Sequence, residues 1–436
     1  MVLSHHDSIK LFRNSAPYIN SHRGKTFVLM FGGEAVDDPN FANIIHDIAL
    51  LNSLGVRLVL VHGARPQIDQ RIELRGVEKR FRNNIRLTDK ITLESVKDAA
   101  GSVRSQIEAL LTMGLANSPM HGAQIRVCSG NLVVAMPMGV RDGVDYENTG
   151  LVRRVDVDGI NDHLEDGSIV LLSPMGYSST GEVFNLSHED VATQAAITLK
   201  ADKLIVFSEH EGIVDHNAKL LRNIDYNRLL PMLDDPEFSH QREILHAIKT
   251  SLESGIGRCH CVSYRQDGAL LQELFTRDGA GSLISQRHYE QLRQATIEDV
   301  GGILKLINPL ENNGVLVKRS REVLEREIEC FTVIERDGMI VACAAFYPYL
   351  DDKTGELACV AAHPDYRGKN RGIRLLEAVK EDARLDNIQQ IFVLTTVTAH
   401  WFQEQGFVET SLDALPESKK QLYNFQRNSK VFALDL

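Results

Sequence analysis

Between residues 26 and 284, short β-branched runs return again and again, separated by amphipathic segments. No other feature limits the possible folds as much. TFVLMF, VRLVLV, AQIRV, SIVLL, KLIVF and CHCVSY read as strands. The stretches 41–54, 93–113, 190–199 and 241–252 read as helices between them. Such alternation predicts a mostly parallel sheet covered by helices, with ligands at the carboxyl ends of the strands. Ahead of it, residues 8–19 carry Ile9, Phe12, Tyr18 and Ile19, enough for an amphipathic helix with one face to pack.

The alternation stops near residue 284, yet the chain has 436 residues, too many for one compact core. The polar stretch SQRHYEQ reads as a linker. Leu292–Ala295 then starts a new strand, and Thr296 is an N-cap ahead of Glu298 and Asp299. The expected division is 1–286 and 287–436. In the second part, Phe331–Arg336, the turn Asp337-Gly338 and the run from Met339 form a β-hairpin signal. A strand is expected at 355–362, a helix at 375–384 and a further strand at 391–396. An α/β chain with two domains is the expectation.

Bulk properties narrow the function. A net charge of −11 argues against an extended basic surface for nucleic acid or anionic membrane. Cations must therefore be placed locally, where an anionic ligand sits. The six cysteines form no CxxC pair and no Cys/His cluster of zinc spacing, so a metal site is not expected. The N-terminal residues lack a secretory pattern and no apolar stretch reaches the ~20 residues of a membrane span, which leads to the expectation of a cytoplasmic protein.

The most informative stretch is Glu356-Leu-Ala-Cys-Val-Ala-Ala-His-Pro-Asp-Tyr-Arg-Gly-Lys-Asn-Arg-Gly372, running into Ile373. A strand feeds a basic, glycine-containing loop that opens a helix. Free N–H groups at a helix start bind phosphate oxygens, and glycine permits close approach. This loop resembles the acetyl-CoA loop of the GNAT acetyltransferases, Arg/Gln-x-x-Gly-x-Gly/Ala, with Asn370 in place of the middle glycine. Leu292-Arg-Gln-Ala-Thr-Ile-Glu-Asp and Trp401-Phe402-Gln-Glu-Gln-Gly-Phe407 resemble the opening and late segments of the same superfamily. The resemblance implies a GNAT-type α+β domain using acetyl-CoA. Cys359, Val360 and Ala361 would line the pantetheine arm at a strand bulge, and Arg367, Gly368, Lys369, Asn370, Arg371, Gly372 and Ile373 would hold the diphosphate. An N–H near Val360 would face the thioester oxygen, where it would stabilise the oxyanion. Amine attack requires removal of a proton, and Glu356 is the candidate base. The tyrosine often found in the late segment is replaced by Phe402; His400 or Tyr423 could act as proton donor instead, or the thiolate could leave unassisted, and the sequence does not choose among them.

Leu415-Pro-Glu-Ser-Lys-Lys, Leu422-Tyr-Asn-Phe-Gln-Arg-Asn-Ser-Lys-Val-Phe432 and Leu316-Val-Lys-Arg-Ser-Arg321 carry the resemblance further. With them, nearly the whole chain resembles the bacterial N-acetylglutamate synthases. That likeness implies acetylation of L-glutamate as the first step of arginine biosynthesis, with Leu316, Lys318, Arg427 and Ser429 around glutamate. Arg319 is the alternative to Lys318. Guanidinium and ammonium groups on opposite walls suit a substrate with two carboxylates.

Met30-Phe-Gly-Gly33, His62-Gly-Ala-Arg-Pro66 and Asn185-Leu-Ser-His-Glu189 resemble the amino acid kinase family. Phosphoryl transfer needs cations on the migrating phosphate, but the family's two lysine positions fall at Met30 and near Ile244. A catalytically silent, regulatory domain with a role in assembly is the expectation. The resemblance implies feedback inhibition by L-arginine, with Tyr18, Lys203, His260, Glu273 and Gly279 as its site, and a homo-oligomer, a hexamer in the family.

Overall fold

The computed structural model describes residues 5–114, 118–286, 290–336, 338–367, 370–421, 423 and 429–436. The chain divides into two compact units, Met1–Arg287 and His288–Leu436.

In the first unit an eight-stranded sheet runs in the order Asn223–Asp225, Ser282–Ser285, Arg258–Ser263, Lys203–Ser208, Thr26–Phe31, Arg57–His62, Ile169–Leu172, Val127–Cys128. All its neighbours are parallel except Arg258–Ser263 with Ser282–Ser285. Alternate residues of each central strand face opposite ways. Val28, Met30, Val59 and Val61 enter one core, and Phe27, Leu29, Leu58 and Leu60 enter another. Strands buried on both faces read as unbroken apolar runs, which explains the sequence pattern. The expected AQIRV strand is paired only at Val127–Cys128, because it is an edge whose partner contacts end at Ile169 and Val170. A separate four-stranded sheet formed by Val183–Asn185, Met175–Tyr177, Val133–Pro137 and Gly150–Val155 was not legible in the periodicity.

The second unit has a seven-stranded sheet in the order Glu290–Gln294, Phe331–Arg336, Met339–Tyr349, Thr354–Ala362, Gln390–Thr395, Lys430–Asp435, Val408–Thr410. Its only parallel neighbours are Thr354–Ala362 and Gln390–Thr395. The helix Arg371–Leu385 buries Leu375, Leu376 and Val379 on one face, and Val300–Asn312 buries Val300, Ile303 and Ile307 on the other. Thr296 and Asp299 form a reciprocal capping box at the start of the latter region, with the Thr296 N–H donating to the Asp299 carboxylate at 2.7 Å. Among the described residues no helix is long and apolar enough to cross a membrane.

Candidate active site and effector cluster

The parallel pair in the second unit builds the site. Thr354, Gly355 and Glu356 pair with Gln390, Ile391 and Phe392, and the pairing ends there. Beyond Glu356 the first strand stays with Met339–Tyr349, while Gln390–Thr395 continues with Lys430–Asp435. The two strands therefore part, leaving a slot edged by main-chain groups. A bulge lies on the slot's wall. Cys343 pairs with Ala361 and Ala345 with Ala358, so two steps on one strand meet three on the other, and Cys359 takes φ +55°. Such a backbone costs energy for a residue with a Cβ, and it turns the strand at the position read as the thioester site.

The following loop reaches the helix Arg371–Leu385 through Asn370, which is its N-cap at φ 56°. That left-handed backbone explains why glycine suits this position and why asparagine is an acceptable replacement. A Cβ on Gly372 would lie 2.9 Å from the Trp401 ring, which itself packs on Phe402 at 4.9 Å between centroids. Gly372 therefore serves close packing of the late segment against the helix start. Arg367 is exposed and Ile373 half-buried, while Gly368 and Lys369 lie outside the described residues. Arg371 is buried. Its guanidinium pairs with Glu290 and donates to the Tyr366 carbonyl at 2.6 Å, so this residue faces the protein and offers a cofactor its backbone N–H only.

Glu356 sits where the strands part, only 7% exposed. The Lys419 ammonium, from the short helix Glu417–Lys420, contacts its Oε2 at 2.5 Å. A second cation is close by. The half-buried Arg319 guanidinium, although burial opposes its charge, is favoured in that form by Cys359, Tyr347 and Glu356 around it. Burial first, and the Glu356 carboxylate second, push the Tyr349 phenol up to about 12. Lys318 is exposed, Leu316 and Ser429 are half-buried, and Arg427 lies outside the described residues. The Tyr423 hydroxyl donates to the Ser429 carbonyl at 2.7 Å. Lys419 escaped the sequence reading because it meets Glu356 only through tertiary folding; the distinctive run starting at Leu415 was the available signal.

The first unit has its own cleft, of about 870 Å³, lined in part by Met30, Gly32, Arg65, His188 and Ile244. Its two glycine turns touch each other, since a Cβ on Gly63 would lie 3.0 Å from the Gly32 Cα. At the start of the helix His188–Thr198, His188 Nδ1 lies 3.1 Å from the Glu189 carboxylate. Burial opposes both charges, yet His188 holds the Glu189 carboxyl down to about 2, while Glu189, Glu34 and Glu243 raise His188. Arg65, 4.0 Å from Glu243, also lines this cleft, while the two positions expected to carry lysines for phosphoryl transfer are the apolar Met30 and Ile244.

On another part of this unit, Lys203 Nζ lies 3.2 Å from His260 Nε2, and His260 Nδ1 lies 2.7 Å from Glu273 Oε1. The Glu273 Oε2 accepts the N–H groups of Ala280 at 2.8 Å and Gly281 at 2.9 Å. Burial would raise Glu273, but His260 and these two N–H groups hold it below the usual range. Gly279 has φ +63°, and any Cβ there would collide with the Glu273 carboxylate. The neighbouring Arg222 donates to the Gly279 carbonyl at 3.2 Å, a contact the sequence gave no reason to expect. Tyr18 approaches along its helix, where His22 hydrogen-bonds the Leu274 carbonyl at 2.9 Å. Four of the five residues implied for an effector thus form one cluster, with Tyr18 on the helix packed beside it.

Comparison with known proteins then decides the family. Residues 25–261 match the amino acid kinase family, and residues 327–409 match the acetyltransferase (GNAT) domain. An amino-acid acetyltransferase of Pseudomonas fluorescens is 55% identical over 97% of this chain and 98% of its own. One from Azotobacter vinelandii is 55% identical over 98% and 99%. The chain belongs to the amino-acid acetyltransferase family. Among solved structures, N-acetylglutamate synthase from Neisseria gonorrhoeae complexed with coenzyme A and L-arginine is 34% identical, with a TM-score of 0.90 over 98% of this chain and 99% of that one. The same enzyme complexed with coenzyme A and N-acetyl-glutamate gives 35% identity and a TM-score of 0.63 over the same shares.

Like its relatives, this amino-acid acetyltransferase uses acetyl-CoA, whose thioester supplies an activated acetyl group. The residues present suit that cofactor. The slot between parted strands offers unpaired edges to an amide-bearing arm, and the helix after Asn370 presents N–H groups to a diphosphate.

Proposed function

We propose that the chain transfers the acetyl group of acetyl-CoA to the amino group of L-glutamate, giving N-acetyl-L-glutamate and CoA. One observation carries this reading: a buried carboxylate, Glu356, stands at the mouth of the cofactor slot between two cations, Lys419 and Arg319. Lys419 and Arg319 are two cations that a substrate with two carboxylates can engage.

The chain's residues act in sequence. The bulged strand aligns the thioester arm along the slot. The segments carrying Leu316, Lys318 or Arg319, and Arg427 with Ser429, orient glutamate. Glu356 takes a proton from the substrate ammonium, directly or through water, so that the nitrogen lone pair can attack the acetyl carbon. The N–H near Val360 faces the carbonyl oxygen as negative charge develops there.

We further infer that Met1–Arg287 is catalytically silent and regulatory, and that L-arginine inhibits by binding near Tyr18, Lys203, His260, Glu273 and Gly279. The charge-held Glu273 is suited to a guanidinium, and the solved Neisseria relative complexed with L-arginine supports the choice of effector. The place in arginine biosynthesis and a hexameric assembly rest on family likeness.

The test is release of free thiol from acetyl-CoA. Release that requires L-glutamate and falls when L-arginine is added is the expected result. ATP consumption with N-acetylglutamate, or arginine binding without turnover, would point to a kinase or to a sensor instead.

A further inference from the structure

The contact between Lys419 and Glu356 poses a problem for the mechanism. A base must offer a lone pair to the substrate ammonium, yet Oε2 of Glu356 is already occupied by another ammonium at 2.5 Å. The pair is well shielded, with side-chain exposures of 20% for Lys419 and 9% for Glu356. In a shielded ion pair neither charge is readily left without a partner, because an uncompensated buried charge is costly.

Lys419 is also held there by the fold. Leu415, 3% exposed, packs with Phe392 and Val431. Phe392 is the residue that pairs with Glu356 across the parallel strands. The short helix Glu417–Lys420 therefore hangs from an anchor beside the base, with Pro416 fixing its start. The same stretch of chain runs on to Tyr423 and Ser429, which are joined by the 2.7 Å hydrogen bond. It thus carries both the ammonium on the base and positions expected to meet glutamate. Among the described residues, Tyr347, the cross-strand partner of Glu356, and Arg319, Tyr349 and Cys359 also lie near it. Of these only Arg319 is cationic.

We propose that Lys419 is a latch that occupies Glu356 until an incoming dicarboxylate draws the ammonium away. The proposal rests on the reading of Glu356 as the base. Lys419 is a positioning residue that acts through Glu356. With the latch closed, a water beside the thioester must compete with the Lys419 ammonium for the Glu356 carboxylate, and acetyl-CoA is preserved. When glutamate enters, one of its carboxylates replaces Glu356 as the partner of Lys419. One of the three ammonium protons then passes to Glu356, the N–C bond forms, the C–S bond breaks and the sulfur leaves with the electron pair; the nitrogen gives up a second proton to that thiolate, so the products are the amide and CoA thiol. If the latch is removed, water becomes the competing nucleophile. Its proton passes to Glu356, an O–C bond forms, the C–S bond breaks, and the products are acetate and CoA.

The experiment measures thiol and acetate release from acetyl-CoA by the full-length protein without glutamate. Lys419→Met raises this hydrolysis by about tenfold or more, a fraction of what general base catalysis is worth, and raises KM for glutamate more than it lowers kcat. Lys419→Arg keeps hydrolysis low. In the double variant Lys419→Met with Glu356→Gln, hydrolysis returns to the wild-type level. A merely structural role for Lys419 would lower both reactions together. Wild-type protein supplies a second measurement that needs no substitution: glutarate, which has both carboxylates and no amine, should accelerate acetyl-CoA hydrolysis. Hydrolysis unchanged by Lys419→Met and by glutarate overturns the latch, as does a rise that persists when Glu356 is glutamine. Full transfer activity in Glu356→Gln would instead remove the base itself, a different failure from loss of transfer there with no hydrolysis in Lys419→Met.

Discussion

The two units each place glycine-containing turns at the start of a helix, but they furnish those turns differently. In the first, Gly32 and Gly63 close on one another, Met30 and Ile244 are apolar, and Glu34, Glu189 and Glu243 surround His188. In the second, the parted strands stay open, Asn370 keeps the left-handed entry to its helix, and Glu356 stands beside Lys419 and Arg319. Both folds persist. What separates them is which charged side chains the loops carry and how their strands pair. Fold and chemistry are thus separable properties of each unit.

The sharpest way to break this contrast is to make the same substitution in both clefts. Glu356→Gln should lower kcat by about 10² to 10⁴, the usual worth of a general base. The loss should shrink at alkaline pH, where more of the amine is already neutral, and rate profiles across pH will check this. Glu189→Gln should reduce stability and leave turnover per folded molecule unaltered. Equal losses of turnover would erase the distinction between the clefts.

The glycine turns offer a smaller, parallel contrast. In Gly372→Ala the new methyl meets Trp401 at 2.9 Å, and overpacking of this kind costs about 1–3 kcal/mol. Denaturant midpoints should fall, and KM for acetyl-CoA should rise. Gly63→Ala meets the Gly32 backbone and should cost similar stability while leaving KM for acetyl-CoA where it was.

The smallest effect concerns stability of the first unit. Burial, aided by Asp267, raises Asp47 to about 7. Between the ordinary carboxylate range near 3.8 and pH 7, the folded chain therefore holds a proton that the unfolded chain has released. Stability contributed by this group is full at low pH and falls as pH rises through that window. Asp47→Asn should accordingly raise Tm at pH 8 and leave it unaltered near pH 3. An equal shift at both pH values would show that ionisation is not involved.

Much of this architecture was legible because its causes are local. Doubly buried strands such as TFVLMF announce themselves as apolar runs, and Asp337-Gly338 marks a hairpin whose described glycine has φ +74°. The loop at Asn370 and the bulge at Cys359 could be located through resemblance, since both depend on backbone angles tied to a short motif. What could not be read was long-range pairing of charge. Arg371 looked like a phosphate ligand, but it turns inward to Glu290, 81 residues away in the chain. Lys318 and Arg319 are adjacent and chemically alike, and only tertiary structure brings Arg319 towards Glu356 while leaving Lys318 exposed. Lys203, His260 and Glu273 come together because two parallel strands and a following helix fix their register, which no sequence period encodes.

The account stands most directly on where the cofactor binds. A solved complex with CoA should show its pantetheine arm between Thr354–Ala362 and Gln390–Thr395 and its diphosphate against the helix that begins after Asn370. A complex with CoA seated in the cleft lined by Met30, Gly32 and His188 would contradict it.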